Sequence, residues 1–411
     1  MRKTGRKARM EEMSAGRIEY LEAARRRVNN RRLRRTALLV AVVAALVIYL
    51  TGLVNTSVMV LEDLADSVRI ALMPEQGFPQ QTGVGNVYQA ESLGGSFVVL
   101  GEDGCAVLAD SGGRLNTIST GYARPAIAAG KNGFVLYNRS GSELRVESRT
   151  REMYTRQTEG SIFLCALSNG GELAVATDDV RKFALLTVYD SHREELLAWS
   201  LTTAEGVPMR MDFSPDGTQL AIAAVTAQEG QIISNLYLLN LRAGEPQLLA
   251  SEPGSTPLDL QWMSNDRLLA VYDTHAALFG SSGAVQARRE FGGAAVAGVS
   301  VGQGGAAVLL GSGQLSTTAL VLDAGLNTRY EGPVPSANDI VWTADAFYLL
   351  CDSSVECFSL EGAYQWSMPL DARPQAMVAG KGGLFVLTEN MARRVTPPAQ
   401  DQEQAGSPPA A

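Results

Sequence analysis

The chain has few of the residues that most catalytic and metal centres require. Its 411 residues include 2 His and 4 Cys, and aromatic residues make up 7%. Two histidines leave little room for a His-based metal site or a catalytic triad, and four cysteines are too few for a disulfide scaffold. No loop has the ligand spacing of a calcium site. We therefore expect no metal, no cofactor and no catalytic residue that the sequence can name.

Charge is distributed unevenly along the chain. Residues 1–35 contain 13 basic and 4 acidic residues, a net charge of +9, whereas the rest of the chain has a net charge of −17. The 19 residues from Thr36 to Val54 carry no charge. As a helix they would be about 28 Å long, close to the roughly 30 Å hydrocarbon core of a bilayer. The sequence therefore predicts a single transmembrane helix over 36–54.

The flanks of this helix predict its orientation. Basic residues resist translocation, so residues 1–35 should form a cytoplasmic tail and the rest of the chain should lie outside the cytoplasm. No small-residue cleavage site follows the apolar run, which favours an uncleaved signal anchor. The basic residues expected to fix the topology are Arg31, Arg32, Arg34 and Arg35.

Neither charged part of the chain favours nucleic acid as a partner. The basic tail has one aromatic residue, Tyr20, and so offers little base stacking. It is better suited to holding the helix in place against anionic headgroups. The net charge of −17 outside the membrane argues against polyanionic ligands such as teichoic acid, nucleic acid or lipid headgroups. We expect a membrane and an envelope protein as partners.

Residues 55–75 are predicted to form an extracytoplasmic stalk helix. Pro74 should end the helix. Its apolar residues recur in steps of three and four, as on one helix face: Val58, Leu61, Leu64, Val68 and Leu72. This stripe should pack on the following domain, lie at the membrane surface, or pair with another copy of the chain. Residues 397–411 are rich in Pro, Ala and Gln and are predicted to be a disordered tail.

An internal repeat occupies the region between the stalk and the tail. A tight polar or glycine-rich turn recurs eight times, each followed by a short apolar run typical of a buried strand. A mean spacing of 41 residues matches a four-stranded propeller blade, for which the usual period is about 40–45 residues. The turns begin at Leu93, Gly130, Ser168, Ser214, Ser264, Gly302, Thr343 and Gly380.

We therefore predict an all-β fold, a β-propeller over residues 76–396. Eight blades are favoured, and seven is the alternative because two turns are spaced unusually far from their neighbours. The last repeat has three strands before Pro397 and lacks a fourth. The segment Phe78–Val87 precedes the first repeat and should supply that strand. Pairing the two chain ends would hide both sheet edges.

Local motifs carry a resemblance to known propellers. Asp212–Leu220 (DFSPDGTQL) resembles the strand–turn–strand signature of WD40-like and TolB-like propellers. Pro215 should preset the turn, Gly217 should adopt a positive φ, and Asp212 should bond to turn amides. Val188–Leu201 and Cys357–Leu370 resemble outer strands of pyrroloquinoline-quinone-like repeats, which implies that Trp199 and Trp366 dock neighbouring blades.

As a whole, the chain resembles bacterial single-pass membrane proteins of unknown function that carry an external propeller. The loop-lined rims and central funnel of a propeller suit protein or glycan contacts, so we expect a non-enzymatic binding or scaffold module at the cell envelope. The stripe of the stalk helix offers self-association as a further option. The alternative is an extracytoplasmic enzyme acting on peptide or carbohydrate, with carboxylates gathered in the central funnel. Several acidic, Arg or Tyr side chains converging in one pocket would favour the enzyme.

The remaining reactive side chains are predicted to be structural. Cys105 and Cys165 lie in apolar strands and should be packed thiols. Cys351 and Cys357 should form a disulfide if a five-residue loop joins their strands, and no bond if the loop is shorter. The two histidines, His192 and His275, are expected to be solvated in turns. 

Overall fold

A computed structural model describes residues 58–311 and 317–398. The predicted cytoplasmic tail, the span over 36–54 with its flanking arginines, and residues 399–411 lie outside these ranges. No helix in the ranges described is both long and apolar enough to cross a membrane. The described chain begins with helix α1, Val58–Ala71, inside the predicted stalk.

Thirty-two β-strands follow α1 in the described ranges. They are β1 (Gln80–Gln81), β2 (Val87–Leu93), β3 (Ser96–Gly101), β4 (Gly104–Ala109), β5 (Arg114–Ser119), β6 (Pro125–Ala129), β7 (Gly133–Asn138), β8 (Glu143–Ser148), β9 (Glu152–Gln157), β10 (Ile162–Leu167), β11 (Leu173–Thr177), β12 (Ala184–Tyr189), β13 (Glu195–Leu201), β14 (Val207–Phe213), β15 (Gln219–Gln228), β16 (Gln231–Asn240), β17 (Pro246–Pro253), β18 (Pro257–Ser264), β19 (Arg267–Tyr272), β20 (His275–Gly280), β21 (Val285–Glu290), β22 (Val296–Gly302), β23 (Gly305–Leu310), β24 (Thr317–Asp323), β25 (Thr328–Val334), β26 (Asp339–Trp342), β27 (Ala346–Leu350), β28 (Ser354–Ser359), β29 (Tyr364–Pro369), β30 (Ala376–Gly380), β31 (Gly383–Leu387) and β32 (Met391–Arg394).

The strands form eight antiparallel sheets of four strands, which are the blades of a propeller. Blades 1 to 7 each contain four consecutive strands, starting with β2–β5 and ending with β26–β29, and blade 8 contains β30–β32 and β1. The first strands of successive blades contact one another around the whole ring, including β30 with β2. The prediction of an all-β propeller with eight blades is confirmed, and the seven-bladed alternative is wrong.

The repeat in the sequence corresponds to one position in each blade. All eight predicted turns join the first strand of a blade to its second strand, from β2–β3 to β30–β31. The second strands are almost wholly buried, as their continuous apolarity predicted; every residue of β3 and β23, for example, is buried. Both faces of such a strand pack against a neighbouring blade, which explains why its sequence does not alternate.

The ring closes through the segment predicted to close it. Strand β1 pairs antiparallel with β32, with Gln80 opposite Ala392 and Gln81 opposite Met391. The ring of Phe78 packs 4.8 Å from that of Phe385 in blade 8. Strand pairing and aromatic packing thus join the two ends of the propeller. The last strand, β32, is paired on both sides, with β31 and with β1.

The hydrophobic core is divided among the blade interfaces. Eight clusters of buried apolar residues fill the eight spaces between neighbouring blades. The cluster between blades 1 and 2 includes Leu100 and Phe134, and the cluster between blades 8 and 1 includes Phe97 and Phe385. Packing between sheets, rather than one central core, therefore holds the ring together.

Helix α1 packs on one face of the propeller through its polar side. Arg149, in the β8–β9 turn, donates to Asp63 and to Ser67 Oγ of α1 and also to the carbonyl of Gly94. In the same turn, Thr150 Oγ1 donates to Asp66 at 2.6 Å. The C-terminal part of the apolar stripe faces away from the propeller, because Leu64 and Val68 of α1 and Leu72 directly after it are exposed. Packing of these three side chains on the domain is therefore excluded.

The docking of α1 distinguishes the two faces of the propeller. We call the face that contacts α1 the α1 face; it carries the turns that join first to second and third to fourth strands, such as 94–95 and 149–151. We call the opposite face the far face. Because the strands are antiparallel, the far face carries the turns that join second to third strands and the loops that lead into each new blade.

Candidate binding site

Polar side chains on the first strands join one blade to the next around the central channel. The side-chain amide of Gln89 both donates to the carbonyl of Ile127 and accepts from its N–H, at 2.9 and 3.2 Å. Ser300 Oγ likewise accepts from the N–H of Trp342 at 2.9 Å. The innermost strands are sheet edges, so these bonds satisfy backbone groups that would otherwise be unpaired.

Three carboxyl groups of the first strands make no such bond to the next blade. They are Glu91 in blade 1, Asp259 in blade 5 and Asp339 in blade 7. Asp259 and Asp339 each accept only from the N–H of the residue that follows them. Blades 1 and 5 lie opposite one another in a ring of eight, so Glu91 and Asp259 face across the channel.

Burial inside the ring disfavours the ionised form of these channel carboxyl groups. It raises the pKa of Glu91, a hydrogen bond from Gln89 lowers that pKa in part, and repulsion from Asp259 raises it again. Burial also raises the pKa of Asp259, against the N–H of Leu260 and the charge of Arg210. The result is an acidic channel that is costly to ionise fully.

A polar pocket lies on the far face, at the mouth of the channel. It has a volume of about 650 Å³ and lies between blades 7, 8 and 1. Its charged lining residues are Asp339, Arg373 and Glu389, and Gln375 is also in its wall. Burial raises the pKa of Asp339 to about 6. The side chain of Arg373 is 80% exposed and lies 3.7 Å from the carboxylate of Asp352, an exposed ion pair that a ligand can replace. We call this site the mouth pocket.

The described residues hold no cluster placed for a metal ion, and their thiols are poor nucleophiles. No group of three or more His, Cys, Asp or Glu in those residues is placed to hold a metal ion. The four cysteines are buried free thiols, and burial raises the pKa of Cys105 to about 12 and that of Cys351 to about 11. Thiols with such pKa values are protonated and poorly nucleophilic at neutral pH.

One serine motif is a structural feature of a strand. Gly298–Gly302 (GVSVG) has the GxSxG spacing of a nucleophile elbow, but Ser300 lies inside β22 rather than on a strand-to-helix turn. Its hydroxyl accepts from Trp342 N–H and so joins blades 6 and 7. The motif therefore builds the ring.

The residues of the DFSPDG motif build a blade, with one difference from the prediction. Gly217 has a φ of 69°, as the turn requires, and Pro215 lies in the same turn. Asp212 does not bond to the turn amides; its carboxylate accepts from the N–H of Trp262 in blade 5 at 2.8 Å. The reason is that Asp212 lies on β14 and faces the next blade, while Ser214 Oγ accepts from the turn amide of Gln219.

The two tryptophans expected to dock blades lie at blade interfaces. Trp199 is on β13 of blade 3, and its ring packs edge-on against Tyr237 of blade 4, with centroids 5.1 Å apart. Trp366 is on β29 of blade 7 and packs against the cluster shared with blade 8. Both side chains are partly buried.

The expectations for the two histidines and for the cysteine pair had different outcomes. His192 is exposed in a turn, as expected. The expectation of a solvated turn was wrong for His275, which is wholly buried in β20 and stacks on Tyr272. Cys351 and Cys357 form no disulfide, because the turn between β27 and β28 is short and offsets the two thiols.

Sequence reasoning missed the residues that the fold brings together over long distances. Arg149, which binds α1, is 86 residues from Asp63. The channel residues Glu91 and Asp259 and the pocket residue Arg373 come from three different blades. Glu91, Asp259 and Arg373 belong to no recognisable local motif, so only their positions within the repeat, on a first strand or in a loop before one, offered a signal.

The closed ring of eight four-stranded blades defines the class of the protein, a WD40-like β-propeller. Within that class, the chain belongs to a family of unknown function, DUF5711, whose model matches residues 77–395. No curated protein matches the chain.

Solved structures of low sequence identity share the fold. Sqt1 from Saccharomyces cerevisiae is 13% identical, with a TM-score of 0.55, over 79% of this chain and 100% of that chain. The WD40 domain of SCAP from fission yeast is 12% identical, with a TM-score of 0.54, over 78% and 96%. Sqt1 from Chaetomium thermophilum, solved bound to the N-terminus of the ribosomal protein L10, is 12% identical, with a TM-score of 0.53, over 77% and 99%.

Proposed function

We propose that the protein is a membrane-anchored, extracytoplasmic β-propeller that acts as a non-enzymatic binding or scaffold module at the cell envelope. The observation that carries this proposal is the separation of two features on opposite faces of the ring. Helix α1 follows the uncharged segment 36–54 and packs on the α1 face. The mouth pocket opens on the far face, where a partner has access to it.

The charge distribution supports the anchoring half of the proposal. A net charge of +9 precedes the uncharged segment, and −17 follows it. This asymmetry supports an orientation with the N-terminus in the cytoplasm and the propeller outside. The four buried thiols, which form no disulfide, are packing residues in either compartment and do not bear on the question.

The mouth pocket supports the binding half of the proposal. Asp339 and Glu389 offer carboxylates to a basic side chain, and Arg373 offers a guanidinium to a carboxylate or a backbone carbonyl. This mixture suits an extended segment of an envelope protein better than a polyanion. Sqt1 from Chaetomium thermophilum, which has a similar fold, was solved with the N-terminus of a protein bound and is an example of a propeller used as a binding module.

Photo-crosslinking in intact cells tests the binding role. A photoreactive phenylalanine analogue at Arg373 should form a defined adduct with an envelope protein. The matched control carries the same analogue at Tyr364, which is 58% exposed on the outermost strand of blade 7. Asp339→Asn should weaken the adduct from position 373. No adduct from position 373, or the same adducts from both positions, would overturn the proposal.

An extracytoplasmic enzyme acting on peptide or carbohydrate is a second candidate, favoured by Glu91 and Asp259. Glycoside hydrolysis uses a pair of carboxyl groups, one as a general acid with a raised pKa and the other as a carboxylate, and Glu91 and Asp259 are a pair that face each other across the channel. The purified full chain should then hydrolyse an envelope glycan or peptide. Activity should be lost in both Glu91→Gln and Asp259→Asn and kept in Asp103→Asn, on the far-face turn between β3 and β4. If no turnover is detected, the enzyme candidate is wrong and the binding module is the remaining candidate.

A further inference from the structure

Helix α1 presents its apolar side to the surroundings of the propeller. Leu64, Val68 and Leu72 recur every four residues and are 64%, 54% and 80% exposed. The opposite side of the helix is the buried one, since Asp66 is only 2% exposed. A surface helix normally turns its apolar stripe toward the protein core. Here the order is reversed, and the stripe has no partner among the described residues.

Contacts within the propeller fix this reversed orientation. Arg149 is 2% exposed in its side chain and holds Asp63 at 2.5 Å. The guanidinium of Arg151 forms a second ion pair with Glu62. Two neighbouring arginines of one turn therefore bind two neighbouring acids of the helix, so rotation of the helix about its axis would break both pairs.

We infer that the exposed stripe of α1 lies on the outer surface of the lipid bilayer, so that the α1 face of the propeller points toward the membrane and the mouth pocket points away from it. This inference rests on the membrane anchoring proposed above. It adds the orientation of the propeller and assigns α1 as a second, interfacial contact with lipid.

The length of chain before α1 favours lipid as the occupant. Three residues, 55–57, separate the end of the uncharged segment at Val54 from the start of α1 at Val58. Four peptide steps span at most about 15 Å. If the segment crosses the bilayer, α1 begins within the headgroup region or just above it. A helix there with an apolar stripe and a polar side is typical of an interfacial helix.

The surroundings of the stripe also favour lipid over a second copy of the chain. Three side chains on one short helix offer far less than the roughly 1,200–2,000 Å² buried in a stable protein interface. Two exposed basic residues lie nearby: Arg69 in the last turn of α1, and Lys131, whose carbonyl accepts from Gly94 N–H next to the Arg149 contact. Both give this edge of the acidic propeller a local positive charge that suits headgroup phosphates, whereas the net charge of −17 belongs to the propeller as a whole.

Fluorescence quenching in nanodiscs tests the inference on the full chain. Val68→Cys carries an environment-sensitive fluorophore, and the matched control carries it at Glu159→Cys, in the exposed β9–β10 loop of the far face. The four native thiols are buried and should not react with the dye. We expect lipids with a nitroxide near the headgroup to remove most of the fluorescence at position 68 and little at position 159.

Any other result contradicts the inference. The pattern of results also distinguishes failure of the interfacial contact from failure of the membrane anchoring. If the chain resists alkaline carbonate extraction but position 68 is not quenched, anchoring holds and the interfacial contact is wrong. If position 68 is shielded from water but not quenched, and copies crosslink through it, a second chain is the occupant. If carbonate releases the chain, both the anchoring and this inference fail.

Discussion

Arg149 Nη2 lies 2.5 Å from Asp63 Oδ1, and this ion pair ties helix α1 to the propeller across 86 residues of sequence. The same guanidinium donates to the carbonyl of Gly94 in blade 1. One buried arginine thus holds the helix, a turn of blade 1 and its own turn in blade 2 in one arrangement. The direction in which the apolar stripe of α1 points depends on this residue.

Arg149→Ala is therefore expected to release α1 without unfolding the ring. Breaking a buried ion pair costs about 3–5 kcal/mol, because the remaining charge has no partner. That cost should fall on the docking of the helix, since the blade interfaces keep their apolar clusters. Hydrogen exchange of the amides in 58–71 should lose protection, while that of β3 and β7 should not change. Arg69→Ala, on the exposed side of α1, is the control and should keep full protection.

The pKa of Asp212 predicts part of the pH dependence of stability. Burial raises this pKa from 3.8 to about 7. A carboxyl group whose pKa is raised by folding binds its proton more tightly in the folded state. Its contribution is therefore complete below about pH 4 and is lost as the pH rises toward 7. Each pKa unit corresponds to about 1.4 kcal/mol, so the loss has an upper limit of about 4 kcal/mol.

Asp212→Asn should remove this dependence, since an amide oxygen still accepts from the N–H of Trp262. Urea unfolding between pH 4 and pH 8 should show a smaller decline for Asp212→Asn than for the natural chain. Asp216→Asn is a control of opposite sign. Burial raises the pKa of Asp216, but hydrogen bonds from Ser214 and Thr218 outweigh burial and hold this pKa below its usual value. Equal pH profiles for the natural chain and Asp212→Asn would contradict the assignment.

The paired positions Gln80 and Ala392 allow the ring closure to be tested by a disulfide. Directly opposed strand residues bring their Cβ atoms within reach of a disulfide. The double variant Gln80→Cys, Ala392→Cys should form the bond under oxidation and raise the stability by roughly 2–4 kcal/mol. Thermal unfolding with and without reductant measures the effect, with each single variant as a control. If no bond forms, β1 does not close blade 8.

Trp199 tests the packing between blades 3 and 4. Truncating a buried Trp to Ala usually costs about 3–5 kcal/mol, and Trp199 should fall at or below the lower end because it is only partly buried. Trp199→Ala should lower the unfolding temperature, and Trp199→Phe should recover most of the loss by keeping a ring against Tyr237. If Trp199→Ala is as stable as the natural chain, the indole side chain of Trp199 does not dock the two blades.

Much of the fold was predictable because each blade corresponds to one local sequence repeat. The turns beginning at Leu93 and Ser214 mark their blades within a few residues, and the closing role of Phe78–Val87 followed from the missing strand of the last repeat. The candidate site was not predictable in the same way. Glu91 and Asp259 line the channel, and Arg373 its mouth, only when the ring closes. Nothing in the local sequence of these residues predicts this position.

Helix α1 and His275 show the same limit on a smaller scale. The apolar period of α1 predicted a helix and an amphipathic stripe, but the side that docks is set by Arg149, which is far away in sequence. His275 follows a polar turn and looks solvent-facing, yet it starts strand β20 and is covered by blade packing. In both cases the missing information is a long-range contact.

The central claim, an anchored propeller outside the cytoplasm, is tested most directly by labelling Glu159→Cys in intact cells with a membrane-impermeant maleimide. The natural chain has only buried thiols and supplies the unlabelled background. The account predicts that Glu159→Cys is labelled without permeabilisation and that the natural chain is not. Labelling of Glu159→Cys only after the membrane is permeabilised would contradict it.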